Sequence, residues 1–193
     1  MGSSAAMTAP PAASTELDEL TLIRAQRSDE SACRALVERY QRPVFSLLSR
    51  LLGPSGQRGS CEDLAQETFL RVFRALASFN RDGPARLSTW ILTIATRLAI
   101  DHLRRERPSL EPLDAHASAL VVSGSVPPGL ASALRRAVES LSPDFRAAFV
   151  LREGHQLSYG EIAAALEVDV GTVKSRLSRA RAALRAALED HHD

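Results

Sequence analysis

The stretch from Leu157 to Arg181 decides the reading of this chain: Leu157-Ser-Tyr-Gly-Glu-Ile-Ala-Ala-Ala-Leu166, then Glu167-Val-Asp169, then Val170-Gly-Thr-Val-Lys-Ser-Arg-Leu-Ser-Arg-Ala-Arg181. Ser158-x-x-Glu161 is a capping box that opens a short helix. A three-residue turn follows, and a longer helix starts at Val170. Short helix, tight turn and longer helix make a helix-turn-helix, here over about 158–178. Along the second helix Val173, Leu177, Ala180 and Leu184 recur at core spacing. Thr172, Ser175, Arg176 and Arg179 lie on the opposite side, and Lys174, Arg181 and Arg185 flank the stripe. Between Val170 and Leu188 there are five basic residues and no acidic one. Small Gly171, Thr172 and Ser175 near the start let a helix approach a groove. The arginines reach phosphates or guanine edges. The plainer alternative is a solvated basic face on an amphipathic helix.

Working outward, 108–129 holds four prolines, two glycines, four serines and no basic residue, which is linker composition. No alternating strand segment is visible on either side of it, and aromatic content is 5%. The expected fold is all-α: two small helical domains joined by a flexible linker, the second with the helix-turn-helix. The expected boundaries are a disordered leader over 1–15, a first domain over 16–107, a linker over 108–131 and a second domain over 132–193.

In the first domain the spacing predicts helices over about 17–27 and from after Ser28 to Leu52, the latter kinked at Pro43. A third runs from an N-cap at Ser60 to about Ala77, and a fourth follows Ser88 and stops before Pro108. In the second domain helices are expected over about 130–139, from Pro143 behind the cap Ser142 to Gly154, over 158–166 and over 170–188.

The third helix has an unusual polar face. Asp63, Gln66, Glu67, Leu70 and Arg74 share one side, opposite Leu64, Ala65, Thr68, Phe69, Val72 and Leu76. A leucine set among acids and an amide suits a protein partner with a basic, partly apolar surface; an ordinary solvated face is the alternative. The loop before the fourth helix offers Asn80, Arg81 and Asp82, and Trp90, Arg97, Arg104 and Arg105 follow. Polar loop, aromatic and arginines together supply the edge-reading, stacking and backbone charge of a single-strand or flipped-base site. For Trp90 the alternative is core packing.

These residues match a known pattern. Asp63-Leu-Ala-Gln-Glu-Thr-Phe69 resembles the core-polymerase-binding motif of bacterial sigma factors. Ser88 through Arg105 resembles their promoter −10 helix, and 157–181 resembles their −35 helix-turn-helix. Two domains and a short linker resemble the extracytoplasmic-function (ECF, group 4) subfamily. The resemblance implies a subunit that binds core RNA polymerase and directs it to −10/−35 promoters. It implies that Asp63, Gln66, Glu67, Leu70 and Arg74 face the polymerase clamp helices, and that the second domain meets the polymerase flap. It implies that Asn80, Arg81, Asp82, Trp90, Arg97, Arg104 and Arg105 serve the −10 element. Gly171, Thr172, Lys174, Ser175, Arg176, Arg179 and Arg181 would then serve the −35 element. An anti-sigma factor is a further expected partner. Arg97 stands where the family usually has asparagine, and Thr93 where a basic residue is common.

Composition limits the alternatives. Lys plus Arg total 24 and Asp plus Glu 23, a net charge of +1, which excludes a uniformly basic nucleic-acid coat. No apolar run reaches the roughly 20 residues of a membrane span, and Met1–Ser14 lacks the pattern of a secretory signal. Met7 is a second possible start. Cys33 and Cys61 have no metal or disulfide spacing and read as bystander thiols of a reducing, cytoplasmic compartment. No cofactor, metal or direct membrane contact is expected, and His155 with Ser158 lacks the oriented carboxylate of a catalytic set, so no enzyme is expected. Two other functions fit parts of the pattern. A sigma mimic that titrates an anti-sigma factor would not need the basic helix, and a stand-alone helix-turn-helix repressor would not explain Asp63–Phe69.

Overall fold

The computed structural model of the chain describes residues 16–53, 58–106 and 128–189, all of them helical or connecting, with no strand among them. The order is α1 (Glu19–Gln26), α2 (Glu30–Leu52), α3 (Arg58–Leu76), α4 (Leu87–Glu106), α5 (Pro128–Glu139), α6 (Pro143–Phe149), a π-helical turn (Val150–Gly154), α7 (Tyr159–Leu166) and α8 (Val170–Glu189). The expected leader and most of the expected linker lie outside the described residues.

Local chemistry explains most helix ends. Asp18 and Asp29 cap α1 and α2 by accepting from Thr21 N–H (3.0 Å) and Ala32 N–H (2.9 Å). As expected, α2 starts after Ser28, which takes a left-handed φ of 62°; its first helical residue is Glu30, with Asp29 as the cap. The helix runs on through Pro43 to Leu52. It ends at Gly53, whose φ of +64° a side chain would resist. Ser60 is not a cap: α3 already begins at Arg58. Nor does Ser88 start α4, which begins at Leu87. Ser142-Pro143 does open α6, although the Ser142 side chain makes no cap bond. The α6 helix also ends earlier than Gly154, widening into the π-helical turn. Ser158 and Glu161 form both bonds of the capping box, 3.3 Å and 2.8 Å.

The N-terminal helices pack around α2, which touches α1, α3 and α4; the C-terminal helices pack around α8, which touches α5, α6 and α7. Leu36, Val44, Leu47, Leu48, Val72 and Ile91 from the first group and Leu141, Leu151, Ile162, Val173, Leu177 and Ala180 from the second belong to one continuous hydrophobic core. The two groups also touch, through α4 with α7 and α6 and through α2 with α5, α6 and the π-helical turn. Arg146, only 3% exposed, ties them together. It donates to Leu51 O on α2 (2.6 Å), to Leu141 O (3.1 Å) and to Glu139 O. Three carbonyls thus accept from the two terminal nitrogens of a buried guanidinium that apolar packing alone would not tolerate.

Candidate polymerase and promoter interface

On α3 the expected partner face is present as a surface. Asp63, Gln66 and Arg74 are exposed, and Leu70 is 51% exposed despite its size. The opposite side buries Ala65, Thr68, Phe69, Val72 and Leu76, so the helix has no choice about which face it offers. Glu67 is ion-paired to Arg71 at 2.7 Å, one turn on. Sequence reasoning passed over Arg71, although the i, i+4 spacing is the signal for it.

The loop between α3 and α4 is a tight turn built on Asn80. Its Oδ1 accepts from Asp82 N–H (3.0 Å) and its carbonyl from Gly83 N–H (3.3 Å). Arg81 donates to Glu19 of α1 at 2.8 Å. Trp90 is half-buried and packs against Phe79, ring centroids 5.0 Å apart at 39°. Its indole therefore takes part in packing at the base of this loop.

Further along α4 the polar stripe faces α7 and α6. Thr89 donates to Glu161 at 2.9 Å. Arg97 donates to Ala164 O (3.0 Å) and Ala165 O (3.2 Å) and pairs with Glu167 at 3.1 Å. It thereby satisfies orphan carbonyls at the C-terminus of α7, where the helix dipole favours a cation. Glu167 sits in the left-handed region, φ 55°, and ends that helix. Arg104 pairs with Asp144 at 3.2 Å, and Arg105 donates to Asp101 O.

The stripe of α8 divides. Gly171, Lys174, Ser175 and Arg179 are exposed. Thr172 is not free: its N–H and hydroxyl both bond to Asp169, at 2.8 Å and 2.6 Å, so it fastens the helix start. Those bonds hold the Asp169 carboxyl below its usual range. Arg181 pairs with Glu153 at 2.8 Å. Arg176 is half-buried and pairs with Asp144 at 3.3 Å. Val170, 41% exposed at the head of the helix, went unnoticed because a valine there reads as core. Asp144 and Arg146 also went unnoticed, since their partners are far away in the chain, and Glu161 reads from the sequence only as a cap, not as the partner of Thr89.

The arrangement offers two basic or polar faces and one acidic–apolar face. Among the described residues no His, Cys, Asp and Glu group is placed to hold a metal. None of their helices is long and apolar enough to cross a membrane. Burial pushes up both thiols, Cys33 and Cys61.

Comparison with known proteins identifies the class. Residues 36–108 match the model of sigma-70 region 2, and 131–184 that of sigma-70 region 4. The chain is 40% identical over 181 residues to the ECF RNA polymerase sigma-E factor of Salmonella typhimurium, covering 86% of this chain and 92% of that protein. In fold it is similar to CnrH, solved with the cytosolic domain of CnrY (TM-score 0.62, 24% identity, 90% of this chain and 97% of that one). It is also similar to the sigma factor RpoE of Bartonella quintana, solved with the anti-sigma factor NepR (TM-score 0.61, 24% identity, 81% and 96%). The chain belongs to the ECF family of RNA polymerase sigma factors.

Proposed function

We propose that this chain is a sigma subunit that binds core RNA polymerase, directs it to −10/−35 promoters and is held in check by an anti-sigma factor. The observation that carries this is the coexistence, in one chain, of the acidic–apolar α3 face and the acid-free basic stripe of α8. A mimic needs only protein contacts, and a repressor needs only the second face. In this reading 16–107 is the unit for polymerase and the −10 element, 108–131 the linker and 132–193 the unit for the −35 element. Asp63, Gln66, Glu67, Leu70 and Arg74 dock on the polymerase clamp helices, and the second unit meets the flap. Asn80, Arg81 and Asp82 serve the −10 base, with Arg97, Arg104 and Arg105 on its strand. Lys174, Ser175, Arg176 and Arg179 read or grip the −35 duplex. The role is one of binding and specificity, not catalysis, and its place is the cytoplasm.

The contacts of α4 with α6 and α7 add a condition. Arg97 and Arg104 reach across the junction between the two units, and Asp144, which holds Arg104, also holds Arg176 within its own unit, so promoter engagement through both requires that junction to part. Core polymerase, with docking sites for each unit, supplies the separation. In vitro transcription with purified chain, core polymerase and a promoter library, followed by start-site sequencing, tests the proposal. Start sites sharing one −10/−35 pair are expected. Palindromic binding without polymerase would favour a repressor instead.

A further inference from the structure

The segment before and within α1 lies upstream of the residues matched by the region 2 model, which begins at 36. Yet its polar side chains hold the α3–α4 loop at three separate places. At the loop's start Gln26 donates to Leu76 O (3.1 Å) and Phe79 O (2.9 Å). In its middle Glu19 accepts from Arg81 at 2.8 Å. At its end Glu16 accepts from the Ser88 N–H at 3.2 Å and from the Ser88 hydroxyl.

The last contact repairs a local defect. Trp90 N–H bonds to Arg86 O, which puts Arg86 at the cap position of α4. Arginine has no acceptor and cannot cap a helix. The carboxylate of Glu16 takes over that task from a distance of 72 residues in the chain, at the positive end of the helix dipole. Glu16 is itself fixed from α2. The Tyr40 hydroxyl accepts from Leu17 N–H (3.0 Å) and donates to Glu16 (3.2 Å), and burial raises the Tyr40 pKa, keeping that donor protonated.

We propose that residues 16–26 form a cradle that sets the conformation of the 78–87 loop for reading the −10 base. Glu16 is the positioning residue at the head of α4, and Glu19 is the carboxylate that orients Arg81. This rests on the assignment of that loop to the −10 element. A stability role alone does not account for Glu19: its side chain is 77% exposed, and such exposed pairs contribute little to folding. What the pair does fix is where the Arg81 guanidinium sits beside Asn80.

The test uses the full chain assembled with core polymerase and a promoter set differing by single bases at −10 and at −35. Glu16→Gln, Glu19→Ala and Gln26→Ala are compared with the unsubstituted chain for transcription from each promoter, alongside thermal melting. The preference for the best −10 base is expected to fall severalfold, with −35 preference unchanged. Unchanged −10 preference in all three, whatever the melting temperatures, overturns the cradle. If Glu16→Gln does not assemble, Glu19→Ala, at an exposed pair, decides by the same readout. Asn80→Ala and Arg81→Ala run in parallel. If these lower −10 preference while the cradle variants do not, only the cradle falls. If neither alters it, the loop assignment is wrong and the cradle falls with it.

Discussion

Arg176, on the stripe of α8 read as the −35 face, is bonded to Asp144 of α6 at 3.3 Å, and its side chain is only 17% exposed. Asp144 also holds Arg104 of α4 at 3.2 Å. One carboxylate therefore restrains an arginine from each of the two surfaces proposed to meet the promoter.

Asp144→Asn is expected to release both arginines. Free chain, without polymerase, should then bind a −35 duplex more tightly, by about 1 kcal/mol, since such half-exposed pairs are individually weak. Fluorescence anisotropy at fixed ionic strength measures this. Affinity equal to that of the unsubstituted chain would show that Asp144 does not restrain Arg176.

Arg176→Ala is expected to weaken −35 recognition in the holoenzyme by roughly 1–3 kcal/mol and to relax preference at one position. Lys174→Ala should weaken binding evenly across −35 variants, as expected for a phosphate contact. Transcription from a panel of −35 substitutions separates the two patterns. A flat profile for Arg176→Ala would remove its base-reading role.

Charge reversal at Asp63 or Glu67 is expected to weaken binding to core polymerase, and Leu70→Asp should do so without unfolding the chain, because Leu70 is already largely exposed. A pull-down of core polymerase with wild-type recovery for all three would sink the clamp assignment.

Arg146→Ala leaves the carbonyls of Leu51, Glu139 and Leu141 without their donor. The expected loss of stability is about 3 kcal/mol, read from thermal or urea unfolding. A loss below about 1 kcal/mol would mean the guanidinium is not the tie between α2 and α6.

His155 is held neutral, its pKa pushed down from 6.5 to about 4 by burial first and by the Arg50 guanidinium second. Between those values the unfolded chain binds the proton and the folded chain does not. The stability this provides is complete above 6.5 and is lost as pH falls toward 4, by at most about 3 kcal/mol. His155→Phe should flatten that part of the unfolding-versus-pH curve. Parallel curves for the two proteins would contradict it.

The helices and their inward faces were legible because their causes are local. The Val173, Leu177, Ala180 and Leu184 stripe is buried as its spacing requires, and the Ser158–Glu161 box caps α7. Local signals failed where the partner is remote. Ser88 looks like a cap for α4, but its role is to donate to Glu16. Ser60 looked like a helix start, yet α3 opens at Arg58. The widening at Val150–Gly154 leaves no periodic signature. The candidate surfaces were legible as faces. That Arg97 and Arg104 meet acids and carbonyls across the junction, and that Arg176 shares Asp144 with Arg104, was not, because neither composition nor period encodes a contact between distant helices.

The shared carboxylate of Asp144 has a thermodynamic consequence. Each arginine that grips a phosphate expels condensed cations from the DNA, so affinity falls as salt rises. Here two of the arginines must first leave a resident anion of their own, and salt weakens that attachment too. The two dependences have opposite sign. If Arg104 and Arg176 contact phosphates as proposed, the slope of affinity against ionic strength undercounts the phosphates contacted, and removal of Asp144 would bring the apparent count closer to the true one.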